Sequence, residues 1–180
     1  MSGQRTRGRP WGWHALADDW AARVVADAAI RPGDVVLDIG AGHGALTAHL
    51  VAAGARVVAV ELHPERVRRL RERFAAEAVT VVWADASELR LPRRPFRVVA
   101  SPPYAITSAL MRRLLAPGSR LVAADLVLQR AVVARYAAGR APGAGRWSRR
   151  WTISAGRPVP RRAFRPPPTA DSAVLVIRRR

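Results

Sequence analysis

The chain contains no cysteine and no lysine. The missing thiols exclude disulfides, thiolate metal sites and cysteine nucleophiles. With lysine absent, every Lys-or-Arg position is arginine, and the accompanying Ala and Pro excess suggests a high-GC coding bias. No apolar run is long enough to span a bilayer. Arg5, Arg7 and Arg9 are followed by no apolar signal-peptide core, so the N-terminus reads as a basic tail on a cytoplasmic protein. The four histidines, His14, His43, His49 and His63, lack ligand spacing, and no metal is expected. No nucleophile-elbow sequence supports Ser-His-Asp chemistry. Acid is scarce: 13 acidic residues face 31 basic ones, giving a net charge of +18 and a pI near 12.0. A polyanion is the expected partner, with nucleic acid ahead of a membrane surface. At 180 residues and 49% hydrophobic content, the chain is long enough for one domain with a sizeable core.

What is present is organised around one stretch, Val35-Val36-Leu37-Asp38-Ile39-Gly40-Ala41-Gly42-His43-Gly44. A short apolar run ends in an acid, passes through a glycine turn and opens a helix-compatible segment at Ala45-Leu46-Thr47. The run reads as a buried parallel strand. The glycines permit a sharp turn and a close approach of backbone to ligand. Amides at the following helix N-terminus can meet a polar ligand group. The spacing Gly-x-Gly-x-Gly differs from the Gly-x-Gly-x-x-Gly of dinucleotide folds, which weakens a pyrophosphate reading. It is the arrangement expected around S-adenosylmethionine, which carries a carboxylate, an amine and a ribose but no phosphate.

Residues 1–13 read as a flexible basic arm and residues 14–180 as a single catalytic domain. A helix capped by Asp18 or Asp19 is expected to end before Pro32. Strands are predicted at 34–39, 56–61, 79–83, 97–100 and 120–128, and helices at 45–53, 64–76, 106–115 and 130–138. A mobile Gly/Pro/Arg-rich loop at 139–145, a sixth strand at 151–154, a proline-rich connection at 159–168 and a seventh strand at 173–177 complete the chain. This is an α/β pattern: a seven-stranded, mostly parallel sheet with helices on both faces and an antiparallel last strand. Ligands in such sheets bind outside the carboxyl ends of the strands, where the strand order switches. Asp38, Glu61, Asp85 and Ser101 all fall at those ends.

Glu61 lies about twenty residues beyond the glycine turn, where a carboxylate can accept both hydroxyls of a ribose. Asp85 can accept from an adenine amino group while the Ala86 amide donates to the ring; alternatively it forms an Asx turn or cap for Ser87-Glu88. Asp38 is expected to order the glycine loop rather than transfer protons. In Ser101-Pro102-Pro103-Tyr104 two prolines stiffen the chain and leave carbonyls free to face a substrate. An amine entering there would donate to the Ser101 oxygen and the Pro102 carbonyl, and Tyr104 can stack on a planar base. The plainer alternative is a rigid turn with a core tyrosine.

These segments together resemble the rRNA adenine N6-methyltransferases, and within them the erythromycin-resistance (Erm-type) enzymes of 23S rRNA more than the 16S dimethyladenosine enzymes. The likeness runs from Leu16-Ala17-Asp18 through the glycine turn, Val58-Ala59-Val60-Glu61-Leu62 and Val81-Val82-Trp83-Ala84-Asp85-Ala86. It continues through Phe96 to Tyr104, Ala124-Asp125-Leu126-Val127-Leu128-Gln129, the proline-rich segment 159–168 and Asp171-Ser172-Ala173-Val174. The resemblance implies a Rossmann-like class I methyltransferase fold that uses S-adenosyl-L-methionine. It implies cofactor contacts at Gly40, Gly42, Glu61, Asp85 and Ser101, and His14, Leu16, Asp38, Leu62 and Ala86 are expected to meet the cofactor beside them. It implies catalytic positions at Ser101, Pro102, Tyr104 and Phe164, with Tyr104 stacking on the target adenine and Phe164 closing its other face. The reaction implied is direct in-line transfer to the N6 of a flipped adenine.

Ser101 stands where the family usually carries Asn, and Trp13-His14-Ala15-Leu16 where it carries Gln-Asn-Phe-Leu. His14 either replaces a cofactor contact or marks its loss. The chain stops shortly after the seventh strand, so a form lacking the family's C-terminal helical domain is expected. RNA would then be held by a basic surface built from Arg5, Arg7, Arg9, Arg140, Arg146, Arg149, Arg150, Arg161, Arg162 and Arg165. The expected partner is 23S rRNA or a precursor ribosomal particle, met by a monomer, with macrolide-type resistance as the outcome. Modification of 16S or another RNA, and an RNA-binding module weakened in catalysis, are the alternatives.

Overall fold

The apolar runs are buried on both sides in a computed structural model that describes residues 14–180. In chain order the elements are β1 (Ala15–Leu16), α1 (Asp18–Asp27), β2 (Val35–Ile39), α2 (Ala45–Ala52), β3 (Arg56–Glu61), α3 (Pro64–Arg73) and β4 (Val79–Trp83). They continue with β5 (Phe96–Ala100), a 3-10 turn (Tyr104–Ile106), α4 (Thr107–Leu114), β6 (Leu121–Gln129), α5 (Arg130–Ala137) and α6 (Ala144–Trp147). β7 (Trp151–Val159), a second 3-10 turn (Arg161–Ala163), β8 (Phe164–Arg165) and β9 (Ser172–Arg179) close the fold.

Seven strands form one sheet in the order β4-β3-β2-β5-β6-β9-β7. β9 runs antiparallel to both of its neighbours, while the other pairings are parallel. Period-two alternation sends Leu37, Val98 and Leu126 to one face, under α4 and α5, and Val36, Val99 and Val127 to the other, under α1 and α2. Each such side chain contributes roughly 1.5–3 kcal/mol by leaving water. The order reverses at β2, with β3 on one side and β5 on the other, which opens a crevice at the carboxyl ends of these strands.

Several local expectations change. The residue capping α1 is Ala17, with no side-chain cap bond. Asp18 and Asp19 sit inside the first turn, where they complement the helix dipole. Asp18 instead reaches His49 Nε2 on α2 at 2.9 Å. The glycine-rich stretch predicted to be mobile leads directly into α6, because Trp147 is buried and stacks on Tyr136 at 6.0 Å. β7 extends through Pro158, which an edge strand tolerates at its register shift. The proline-rich connection supplies β8, which pairs with β1 through Ala15↔Arg165 and Leu16↔Phe164. The expected arm over residues 1–13 lies outside the described residues.

Candidate active site at the carboxyl edge of the sheet

The glycine turn is folded back onto β3. Gly40 and Ala41 both donate to the Val60 carbonyl, at 2.8 and 3.0 Å. Gly42 donates to Glu61 Oε2 at 2.9 Å, and Gly44 to the Ala41 carbonyl at 2.8 Å. Gly40 and Gly42 have φ of 77° and 60°, a region that costs an L-residue strain. A Cβ on Gly40 would stand 3.0 Å from Pro103 Cδ and 3.5 Å from Pro102 Cα. The glycine turn and the Ser-Pro-Pro-Tyr turn are therefore in van der Waals contact, and only a residue without a side chain fits between them.

The amides of Gly40, Ala41, Gly42 and Gly44 are thus engaged within the protein, and the amides expected to meet a ligand are those that open α2 at Ala45 and Leu46. The buried carboxylates of Asp38 and Glu61 stand beside the turn and disfavour a phosphate there.

Glu61 is buried, and its other oxygen accepts from the Leu62 and His63 amides, both at 2.9 Å. Arg66 Nη1 stands 3.9 Å from it. Asp38 is buried at the end of β2 and accepts from Thr47 Oγ1 at 2.7 Å, which ties β2 to α2 as expected of a loop-ordering residue. Burial raises its carboxyl to about 7; the Thr47 bond opposes the shift and the Glu61 charge adds to it. Asp85 accepts from the hydroxyl and amide of Ser87, at 2.7 and 2.8 Å, and these bonds lower its carboxyl below the usual value. The Asx turn is thus realised, and Asp85 faces the crevice as well. Partial burial, then the Arg66 and Arg69 charges, hold His43 below the ordinary imidazole value.

One cavity of about 370 Å³ is lined by all ten positions expected to meet the cofactor: His14, Leu16, Asp38, Gly40, Gly42, Glu61, Leu62, Asp85, Ala86 and Ser101. Its volume suits a nucleoside-sized ligand. Three carboxylates and one guanidinium, that of Arg66, face it, which favours a ligand carrying positive charge over a polyphosphate. The glycine cradle, the ribose-ready Glu61 and this charge balance fit S-adenosylmethionine. His14 donates from Nδ1 to the Pro166 carbonyl at 2.7 Å, latching β1 to the proline-rich loop beside the cavity.

Of the expected catalytic positions, Ser101 and Tyr104 line the cavity with Pro103, while the Pro102 side chain is buried behind them. Phe164 is a correction. It is 1% exposed, pairs with Leu16 and packs among Val99, Val127 and Val174, so its ring belongs to the core and lines no part of the cavity.

The single basic surface is also corrected. Arg161, Arg162 and Arg165 are exposed and follow Val159, which is paired with Ser172 at the cavity edge. Arg146, Arg149 and Arg150 precede Trp151, at the opposite end of the sheet, and Arg140 follows α5 as it descends to that end. Arg5, Arg7 and Arg9 lie outside the described residues. Sequence reading missed Arg66 and Ser172. A signal for Arg66 was its place in the first turn of the helix after Glu61. Ser172 lies in the Asp171-Ser172-Ala173-Val174 segment of the likeness, but its bond to Tyr104, 68 residues away, has no signal in the sequence.

Among the described residues no group of three His, Asp or Glu side chains is placed to hold a metal ion, and no helix is long and apolar enough to cross a membrane.

The profile of the ribosomal RNA adenine dimethylase family matches residues 16–180. The chain is 40% identical over 196 aligned positions to the Ribosomal RNA small subunit methyltransferase A of Synechococcus sp. (strain RCC307), covering 97% of the chain and 70% of that protein. It is 39% identical over 162 positions to the mycinamicin-resistance protein MyrB of Micromonospora griseorubida, covering 88% of the chain but 50% of that relative. Among solved structures, the 23S rRNA methyltransferase ErmE superposes with a TM-score of 0.80 at 33% identity, over 92% of the chain and 69% of ErmE. A dimethyladenosine transferase from Plasmodium falciparum, at 23% identity and a TM-score of 0.79 over 93% of the chain and 64% of its own, shares the fold. The chain thus spans from half to 70% of the length of these relatives.

Proposed function

The chain belongs to the ribosomal RNA adenine dimethylase family, and from that premise we propose that it transfers a methyl group from S-adenosylmethionine to N6 of an adenine in ribosomal RNA. The observation that carries this reading is the convergence of the ten cofactor positions on one cavity, with Ser101 and Tyr104 at its wall.

S-adenosylmethionine supplies a methyl group activated on a sulfonium centre. The glycine turn admits it closely, Glu61 is oriented by three amides to accept from the ribose, and Asp85 and the Ala86 amide read the adenine ring. The Ser101 oxygen and the Pro102 carbonyl accept from the target amine and aim its lone pair. Tyr104 stacks on the flipped base. With the sulfonium bound in the cavity, the amine nitrogen would take its methyl carbon, the carbon–sulfur electron pair would stay on sulfur, and the amine's proton would pass to solvent. Ser101 is shorter than the family's Asn, so the amine sits closer to the strand end or bonds through water. Arg161, Arg162 and Arg165 hold phosphates beside the cavity.

The finer reading is 23S rRNA as substrate, with macrolide-type resistance as the result and a cytoplasmic monomer as the working form. MyrB and ErmE favour it. A small-subunit rRNA target is the second reading, favoured by the 40% identity to the Synechococcus protein. Labelled methyl transfer to naked 23S and 16S rRNA, followed by primer-extension mapping, separates them. Label as N6-methylated adenosine in 23S rRNA is the expected result; label confined to 16S rRNA gives the second reading, and RNA binding without label refutes both.

A further inference from the structure

Part of the arginine surplus forms a row at the end of the sheet away from the cavity. Arg56 opens β3, Arg93 and Arg94 stand just before β5, Arg120 directly before β6, and Arg149 and Arg150 directly before β7. These strands run parallel, so all six residues lie on the amino-terminal rim, and all six are exposed. Backbone bonds join the rim laterally: Phe96 donates to the Arg120 carbonyl and Arg180 to the Arg150 carbonyl. From β3 to β7 the sheet takes five steps, so the row is roughly 24 Å long at ~4.8 Å per strand.

Little charge opposes it. Among the described residues, none of the six guanidinium groups makes an ion pair. Asp34, at the same edge, is taken by Arg97 at 3.0 Å, and Glu77 lies outside the row, before β4. The carboxylates Asp38, Glu61, Asp85 and Asp171 are at the cavity end instead. β6 alone has nine residues, which separates the two ends by roughly 30 Å.

We infer that this rim is a second RNA-binding surface, which takes a stretch of phosphate backbone remote from the target adenine; the inference rests on the reading of the substrate as RNA. A row of this length exceeds any mononucleotide and matches a repeating anion. Guanidinium forks suit phosphate oxygens in particular. A bilayer surface would call for exposed aromatic anchors. The rim has none among the described residues: Trp147 and Trp151 are buried, and Val122 is the exposed large apolar side chain there. Arg179, stacked over Trp151 at 4.8 Å and bonded to the Leu121 and Ser119 carbonyls, stiffens the β6–β9–β7 side from which Arg149 and Arg150 project.

The test compares two variants of equal charge change. One carries Arg56→Glu, Arg93→Glu, Arg94→Glu and Arg120→Glu; the other carries Arg23→Glu, Arg71→Glu, Arg112→Glu and Arg135→Glu on helix surfaces. Affinity for a long ribosomal RNA transcript is measured across a salt titration, with S-adenosylhomocysteine binding as the check on folding. The rim variant is expected to lose about 3 from the magnitude of the log–log salt slope and the helix variant less than about 1. Equal slopes in the two variants would overturn the inference, as would a rim effect seen on phosphatidylglycerol vesicles but not on RNA. Should the fourfold variant not fold, Arg94→Glu and Arg120→Glu are read singly, each expected to remove roughly 0.8 from the slope. A slope difference without any methyl transfer by the parent protein would refute the enzymatic reading and keep the rim. Transfer with equal slopes would remove the rim alone.

Discussion

Tyr104 Oη and Ser172 Oγ share a hydrogen bond of 3.0 Å. It joins the turn after β5 to the first residue of β9, and Ser172 is itself buried between Gln129 and Val159. The ring proposed to receive the adenine is thus fixed by the ends of three strands. Tyr104→Phe keeps the ring and loses the bond. Its single-turnover methyl-transfer rate is expected to fall roughly 2–10-fold, the worth of one such bond, with S-adenosylhomocysteine affinity unchanged. Ser172→Ala should match it, and the double variant should be no worse than either. Tyr104→Ala loses the stacking surface and should cost more, roughly 5–150-fold.

Gly33 and Gly40 offer a matched pair. Their φ angles are 85° and 77°, but a Cβ on Gly33 meets nothing within 4 Å while one on Gly40 meets Pro103 at 3.0 Å. Gly33→Ala should cost about 1–2 kcal/mol of backbone strain in urea unfolding and leave S-adenosylhomocysteine binding intact. Gly40→Ala should carry the same strain and also weaken that binding, because Pro103 and the cavity wall must move. Equal binding by the two variants would show that the two turns are not in working contact.

Asp38 sets a pH dependence. Its folded value, about 7, lies above the ordinary carboxylate value. The folded protein therefore holds a proton between about pH 4 and 7 that the unfolded chain releases, and the stability from this group is lost as pH rises through that window. A ligand bearing an ammonium group favours the ionised carboxylate. S-adenosylhomocysteine affinity should rise from about pH 6 to 8, with proton release detectable by calorimetry in buffers of different ionisation heat. Asp38→Asn should flatten both responses.

Phe164 packs in the core rather than against the cavity. As a core residue 1% exposed, its truncation to Ala should cost about 3–5 kcal/mol in urea unfolding. A loss below about 1 kcal/mol would place the ring on the cavity side instead.

The parallel strands were legible because burial on both faces writes them as unbroken apolar runs, and the polar residues ending those runs marked the site. Asp38, Glu61, Asp85 and Ser101 needed no more than that. β1 and β8 were not legible, since two-residue strands have no periodicity and their pairing spans some 150 residues of chain. Phe164 misled because a motif position does not say whether its ring faces core or cavity, and here pairing with Leu16 decides it. The placement of Arg149 and Arg150 was available in principle: residues that precede a strand parallel to β6 must sit opposite its carboxyl end.

The central claim is that one cavity at the carboxyl edge of the sheet takes S-adenosylmethionine. Calorimetric titration of the full chain with S-adenosylhomocysteine tests it most directly. Saturable heat at one ligand per chain is the expected result, and the absence of any binding heat would contradict the account.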